Sequence, residues 1–215
     1  LSDPVKTREI TVADLLSHRT GLPEADFIWY EDTSSFPEII RRLGYVAFNA
    51  PVRSHFEYQN ITYALAGSIA AQREGTSWEK LVHDRILGPL GMRETYTETP
   101  DERTHRDLAY AHDYVNDTLS VIPRYDTDNI GPAGAMYSSV SDMAIWMRFL
   151  LDSARLGGKR LVSERGYAEM FTPHLLVDEK EFYPTAKLTH PRFQAYGQGW
   201  FLEDYRGEIV EFHTG

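Results

Sequence analysis

Tyr58-Gln59-Asn60 and His213-Thr214-Gly215 are the two stretches whose side chains suit proton transfer and carbonyl chemistry. The first stands just ahead of a small, apolar run, 61–71. A helix N-terminus favours negative charge, so a tyrosine held there can have its phenolate stabilised and can accept a proton. The asparagine amide is both donor and acceptor, able to bind a substrate carbonyl and a neighbouring cation together. The plainer reading is that Asn60 caps the helix and Tyr58 packs as an ordinary aromatic, as most Tyr-x-Asn triplets would. On an edge strand, His213 would offer a cation or proton shuttle, Thr214 a hydroxyl, and Gly215 room for substrate backbone to come close.

These groups still need a nucleophile. With no cysteine in the chain, a thiolate nucleophile, a disulfide and a zinc-thiolate site are excluded. One Ser-x-x-Lys occurs, Ser77-Trp78-Glu79-Lys80. Thr76 and Glu79 have the spacing of a capping box, which places Ser77 at the opening of an amphipathic helix. Lys80 then falls on the polar side, between the apolar Trp78 and Leu81. That placement reads as a surface helix rather than a nucleophile.

The other chemistry-bearing residues read as structural. His105 and His112 lie in a loop-rich stretch without carboxylates at metal-ligand spacing. Gly131-Pro132-Ala133-Gly134 lacks the Lys-Ser/Thr of a phosphate loop. Asp126, Asp128 and Asn129 have only part of a calcium-loop pattern. Trp29, Tyr30, Tyr125, Trp200 and Phe201 fit either cleft walls or core. No metal is implied.

The elements that must position these groups are announced by caps and turns. Thr11 with Asp14 predicts a short helix from Val12 to about His18, closed by Gly21 and Pro23. Ser35 with Glu38, and Pro37 in the first turn, predicts a second through Leu43. The 61–73 run predicts a helix buried on most sides, ended by Gly75. Helices follow after Thr76, Ser139 and Ser163. Residues 93–132 read as loop-rich with short strands, 174–195 as irregular, and 199–213 as a β-hairpin around Arg206-Gly207. A lone hairpin is marginal in water, so further strands are expected from outside the 215 residues. Hydrophobic residues make up 42% of the chain, enough for a core, and 22 Lys+Arg against 32 Asp+Glu give a net charge of −10. That balance argues against nucleic acid as a partner. No apolar run approaches the roughly 20 residues of a membrane span.

Five segments in register carry a resemblance: 10–23 (ITVADLLSHRTGLP), 56–67 (FEYQNITYALAG), 77–92 (SWEKLVHDRILGPLGM), 130–151 and 196–215. The chain resembles, over essentially all its length, the β-lactamase-related serine hydrolases, which include class C β-lactamases, penicillin-binding proteins, D-aminopeptidases and esterases. The resemblance implies an α+β fold with the site between a helical region and an antiparallel sheet. It implies that Tyr58, Asn60 and His213 are catalytic, that Gln59, Thr214 and Gly215 line the substrate site, and that no cofactor is needed. It implies that His18 shapes a helix exit, and that residues 131–134 form a tight turn near the site. The substrate would be a small ester, amide or peptide. The family's Ser-x-x-Lys, carrying nucleophile and activating lysine, should lie upstream of residue 10. The chain is therefore expected to be the middle and later part of a longer hydrolase, inactive by itself.

Overall fold

A computed structural model describes residues 1–105, 107–182 and 184–215. The helices are α1 (Pro4–Glu9), α2 (Val12–Leu16), α3 (Phe36–Leu43), α4 (Asn60–Arg73), α5 (Trp78–Val82), α6 (Gly88–Leu90), α7 (Gly131–Gly134), α8 (Val140–Leu151), α9 (Glu164–Met170) and α10 (Ala186–Thr189). The strands are β1 (His112–Val115), β2 (Thr118–Val121), β3 (Arg155–Leu156), β4 (Lys159–Arg160), β5 (Leu175–Leu176), β6 (Gln194–Tyr196), β7 (Phe201–Tyr205) and β8 (Glu208–Phe212). The fold is α+β, as expected.

The capping box on α2 forms in full, with Asp14 and Thr11 each bonding the other's backbone N–H. Two other caps sit one residue from their expected places. Ser77, not Thr76, caps α5, because its extended backbone lets Oγ accept from the Lys80 N–H at 3.2 Å. Gln59, not Asn60, caps α4, its amide oxygen accepting from the Ile61 N–H at 3.1 Å. Backbone dihedrals decide which residue is the cap, and residue type alone does not display them.

α4 is the axis of the helical region. Its buried Ile61 and Ala64 join Leu22, Trp29, Ile39, Leu43 and Ile130 in one core. A second core gathers Leu87, Leu90, Met92 and Phe149. Gly67 lets α7 close on α4, since a Cβ there would stand 2.4 Å from the Pro132 Cβ.

The expected hairpin is real, with β7 and β8 paired from Phe201–Phe212 to Tyr205–Glu208. It is not alone. β6 and β5 extend it to a four-stranded antiparallel sheet, in the order β5-β6-β7-β8. Those two strands come from the stretch read as irregular. β5 has two residues, and β6 is buried at all three positions, so neither displays an alternating pattern. Phe56, Val177, Tyr196 and Phe201 form a third core, against which Tyr58 and Phe212 pack. The segment leading into α4 is thus fastened to the sheet, and the two halves of the molecule meet there.

A polar network pins the same junction. Asp14 is fully buried and is held by Arg19 at 2.6 Å and Arg53 at 2.7 Å. These guanidinium and hydroxyl donors outweigh burial and hold its carboxyl far below the usual carboxylate range. Arg19 continues to His174 Nδ1 at 3.1 Å, and His174 Nε2 lies 3.3 Å from Glu169. Among the described residues, no helix is long and apolar enough to cross a membrane.

Candidate active site

The turn after α2 builds the site first. His18 adopts a left-handed backbone, φ 51°. Its carbonyl accepts from the Glu57 N–H at 2.9 Å and its Nδ1 accepts from the Gln59 N–H at 3.1 Å. The two bonds grip the chain on either side of Tyr58. The His18 ring lies under Tyr58 with centroids 4.2 Å apart, and also packs on Phe56, Tyr63 and Tyr196. Desolvation drives its pKa down to about 3, so the ring is neutral. With Nδ1 accepting, the proton sits on Nε2, a buried atom without a hydrogen-bond partner among the described residues.

Tyr58 is thereby aimed at the end of β8. Its hydroxyl lies 3.4 Å from His213 Nε2, a long contact between residues 155 apart in sequence. His213 Nδ1 is 2.5 Å from the Thr214 carbonyl, which fixes a hydrogen on Nδ1 and leaves the Nε2 lone pair facing Tyr58. The imidazole is edged by Tyr196 and Phe201 as well. This enclosure lowers the His213 pKa, offset in part by the bond to Thr214. At neutral pH the ring is a proton acceptor, not a fixed cation.

Asn60 opens α4 beside Tyr58. Its Nδ2 donates to Asp26 at 3.2 Å, and Asp26 also accepts the Trp29 indole N–H at 2.6 Å. Asp26 was invisible to sequence reasoning, since a contact across 34 positions leaves no local pattern. Gln59 is displaced from its expected role. It is fully buried, with its amide spent on the Pro23 carbonyl and the Ile61 N–H. It orders the backbone under the site and presents no side-chain surface to a substrate. Thr214 and Gly215 lie exposed beside His213.

The remaining candidates lie elsewhere or do other work. Ser77 is used as a cap, and the Lys80 ammonium pairs with Asp84 at 2.6 Å. His105 and His112 each bond a nearby backbone carbonyl. Among the described residues no group of three or more His, Asp or Glu has metal-holding geometry. Asn129 ties its loop to the Trp29 and Asp32 carbonyls. Trp29 and Phe201 are core; Tyr30 and Tyr125 are surface; Trp200 is half-buried against Phe171. An apolar groove of about 610 Å³, lined by Val12, Leu16, Tyr63, Trp78, Met143 and Trp146, runs along α4. It contains none of the Tyr58, Asn60 and His213 side chains.

The whole chain, residues 1–215, matches the family model described as Beta-lactamase. It is 29% identical over 223 residues to the unguisins hydrolase of Aspergillus campestris, all of this chain aligning with 40% of that protein. Its fold is similar to D-amino acid amidase from Ochrobactrum anthropi SV3, with TM-score 0.74, 23% identity, and 98% of this chain on 58% of that one. An octameric penicillin-binding protein homologue from Pyrococcus abyssi superposes with TM-score 0.71 at 22% identity, 98% of this chain covering 50% of that one. The chain thus spans between 40% and 58% of these three proteins. By the match over its full length, it belongs to the Beta-lactamase family.

Proposed function

We propose that the protein containing this chain is a serine hydrolase that transfers an acyl group from a small ester or amide to water through an acyl-serine intermediate. The observation that carries this reading is the approach of Tyr58 Oη to His213 Nε2. Two motifs, far apart in sequence and suited to the same chemistry, meet at the junction of helices and sheet. The serine and an activating lysine would come from outside residues 1–215, so the chain by itself is proposed to be inactive.

Tyr58 shares the base role with that lysine. The serine hydroxyl gives up its proton as its oxygen attacks the carbonyl, and the same proton later passes to the leaving group. His213 Nε2 accepts a hydrogen bond from the Tyr58 hydroxyl and fixes its orientation, while the α4 N-terminus and the lysine cation favour the phenolate. Asn60, oriented by Asp26, offers its amide oxygen to the lysine or a substrate N–H. Backbone N–H groups stabilise the oxyanion. Family membership and the likeness to a D-amino acid amidase support amide or ester substrates.

The test is intact mass of the full-length protein before and after a fluorophosphonate probe. One adduct on a serine outside residues 1–215 is the expected result. An adduct on Ser77 would overturn the assignment. No adduct would favour a binding protein built on the hydrolase fold.

A further inference from the structure

The seam between helices and sheet passes through His174, a residue that the acyl-transfer steps do not use. Its backbone N–H donates to the Tyr196 carbonyl at 2.8 Å, and the next residue, Leu175, pairs with Tyr196 where β5 meets β6. Its Nδ1 lies 3.1 Å from the Arg19 guanidinium, which joins the turn after α2 to the sheet. Its Nε2 lies 3.3 Å from Glu169 on α9, and the Gln198 amide nitrogen is 3.3 Å from both the ring and that carboxylate. The ring is sheltered, with 11% of the side chain exposed. A guanidinium only donates, so Nδ1 is the acceptor and the proton sits on Nε2, toward Glu169. The neutral ring therefore serves both neighbours at once. A proton taken from solvent onto Nδ1 would set two donors and two positive charges face to face at the Arg19 contact.

Among the described residues, the charged groups acting on the ring are Arg19 and Asp14 from the α2 side and Glu169 from α9. Burial and then Arg19 oppose its charge and outweigh the two carboxylates, so the His174 pKa lies below its ordinary value. Arg19 directly follows His18, the residue that grips the chain around Tyr58. Its carbonyl accepts from the Arg53 N–H at 2.8 Å and its side chain is anchored on buried Asp14 at 2.6 Å, so this end of the bond is held firmly. At the other end Tyr196 packs on both His18 and His213, with centroids 5.0 and 6.2 Å apart. The Arg19–His174 bond is thus a strut beside the Tyr58–His213 contact, which at 3.4 Å is too long to fix the seam alone. Reacting groups displaced by about 1 Å can lose about 100-fold in rate.

We propose that His174 is a positioning residue and a proton-operated latch. Neutral, it holds the His18 turn to the sheet through Arg19 and so sets the approach of Tyr58 to His213. Protonated on Nδ1, it releases Arg19, and the acyl-transfer site loosens as the pH falls. This rests on the acyl-transfer reading above.

The test is the rate at which a fluorophosphonate labels the serine of the full-length protein from about pH 5 to about pH 7.5, in the unsubstituted protein, His174→Gln and His174→Leu. Glutamine keeps an acceptor for Arg19 and a donor for Glu169 but takes up no proton; leucine keeps only bulk. At the upper pH, His174→Gln is expected to label within about 3-fold of the unsubstituted protein, and His174→Leu about 10- to 100-fold more slowly. On acidification the unsubstituted rate should fall about 3- to 10-fold further than the His174→Gln rate. His213 titrates in both proteins, so the difference reads His174 alone. Equal falls overturn the proposal. So does a leucine variant that keeps the neutral-pH rate, or a glutamine variant no faster than the leucine one. Where His174→Leu does not fold, the acid falls of the other two decide. If a serine labels and these differences are missing, this inference fails and the acyl-transfer reading stands. If no serine of the unsubstituted protein labels, the acyl-transfer reading fails and takes this inference with it.

Discussion

His18 and His213 both lie against one tyrosine, Tyr58, and share a second neighbour, Tyr196. His18 is 1% exposed and His213 lies at the surface. Burial lowers both pKa values, His18 far more, to about 3. His18 spends its Nδ1 lone pair on the backbone of Gln59, whereas His213 keeps a lone pair for the Tyr58 hydroxyl. The difference is chiefly one of solvent access, not of residue type. A histidine sealed in aromatic packing is a neutral building piece; the one at the rim of the same packing is the one proposed to exchange protons with a substrate.

The largest effect should come from the residue between them. Tyr58→Phe keeps the ring over His18 and removes only the hydroxyl. In the full-length enzyme kcat/KM should fall by about 10²- to 10⁴-fold, the range for a lost general base. Thermal unfolding should barely move. A fall of less than threefold would remove Tyr58 from the chemistry and reduce the contact with His213 to packing.

Stability should separate buried from rim polar groups next. Asp14→Ala strips the shared partner from Arg19 and Arg53, and should cost about 3 kcal/mol in urea unfolding. The figure lies at the low end of the usual range because the Arg53 side chain is 45% exposed. His18→Ala should cost about 2–3 kcal/mol, through the cavity under Tyr58 and the Gln59 N–H left without its Nδ1 acceptor. His213→Ala should change stability by no more than about 0.5–1 kcal/mol while depressing turnover. Equal losses in stability for the two histidines would break the comparison.

The pH dependence sharpens it further. Unfolded His18 takes up a proton near 6.5, and folded His18 only near 3. Between those values the unfolded state binds more protons, so stability is full above about 6.5 and is lost as pH falls toward 3. The slope approaches about 1.4 kcal/mol per pH unit for one such group. Asp14 adds loss of the same sign, but only below its ordinary value of 3.8. Urea unfolding at pH 7, 6 and 5 should therefore show a slope that His18→Gln flattens. An unchanged slope in that variant would mean that His18 is protonated in the folded protein.

The smallest effect is expected at Gln59. Gln59→Glu places a charge on the Pro23 carbonyl and should lower stability by about 1–2 kcal/mol while leaving KM within about twofold. A large change in KM with stability intact would return Gln59 to the substrate site.

The sequence by itself determined the local elements and the identity of the paired motifs. The α2 capping box, the Arg206-Gly207 turn and the helix ahead of Gly75 are set by contacts within a few residues. Such features are written in residue type and spacing, although Gln59 and Ser77 show that cap positions shift by one when dihedrals decide. Tyr58, Asn60 and His213 could be singled out because their types suit one chemistry. Tertiary structure decided the rest. It placed Tyr58 against His213 across 155 positions, gave Asp26 to Asn60, buried Gln59, and drew β5 and β6 onto the hairpin. None of these has a local signature. Each depends on chain closure that brings distant residues together, and on burial, which changes what the same side chain can do.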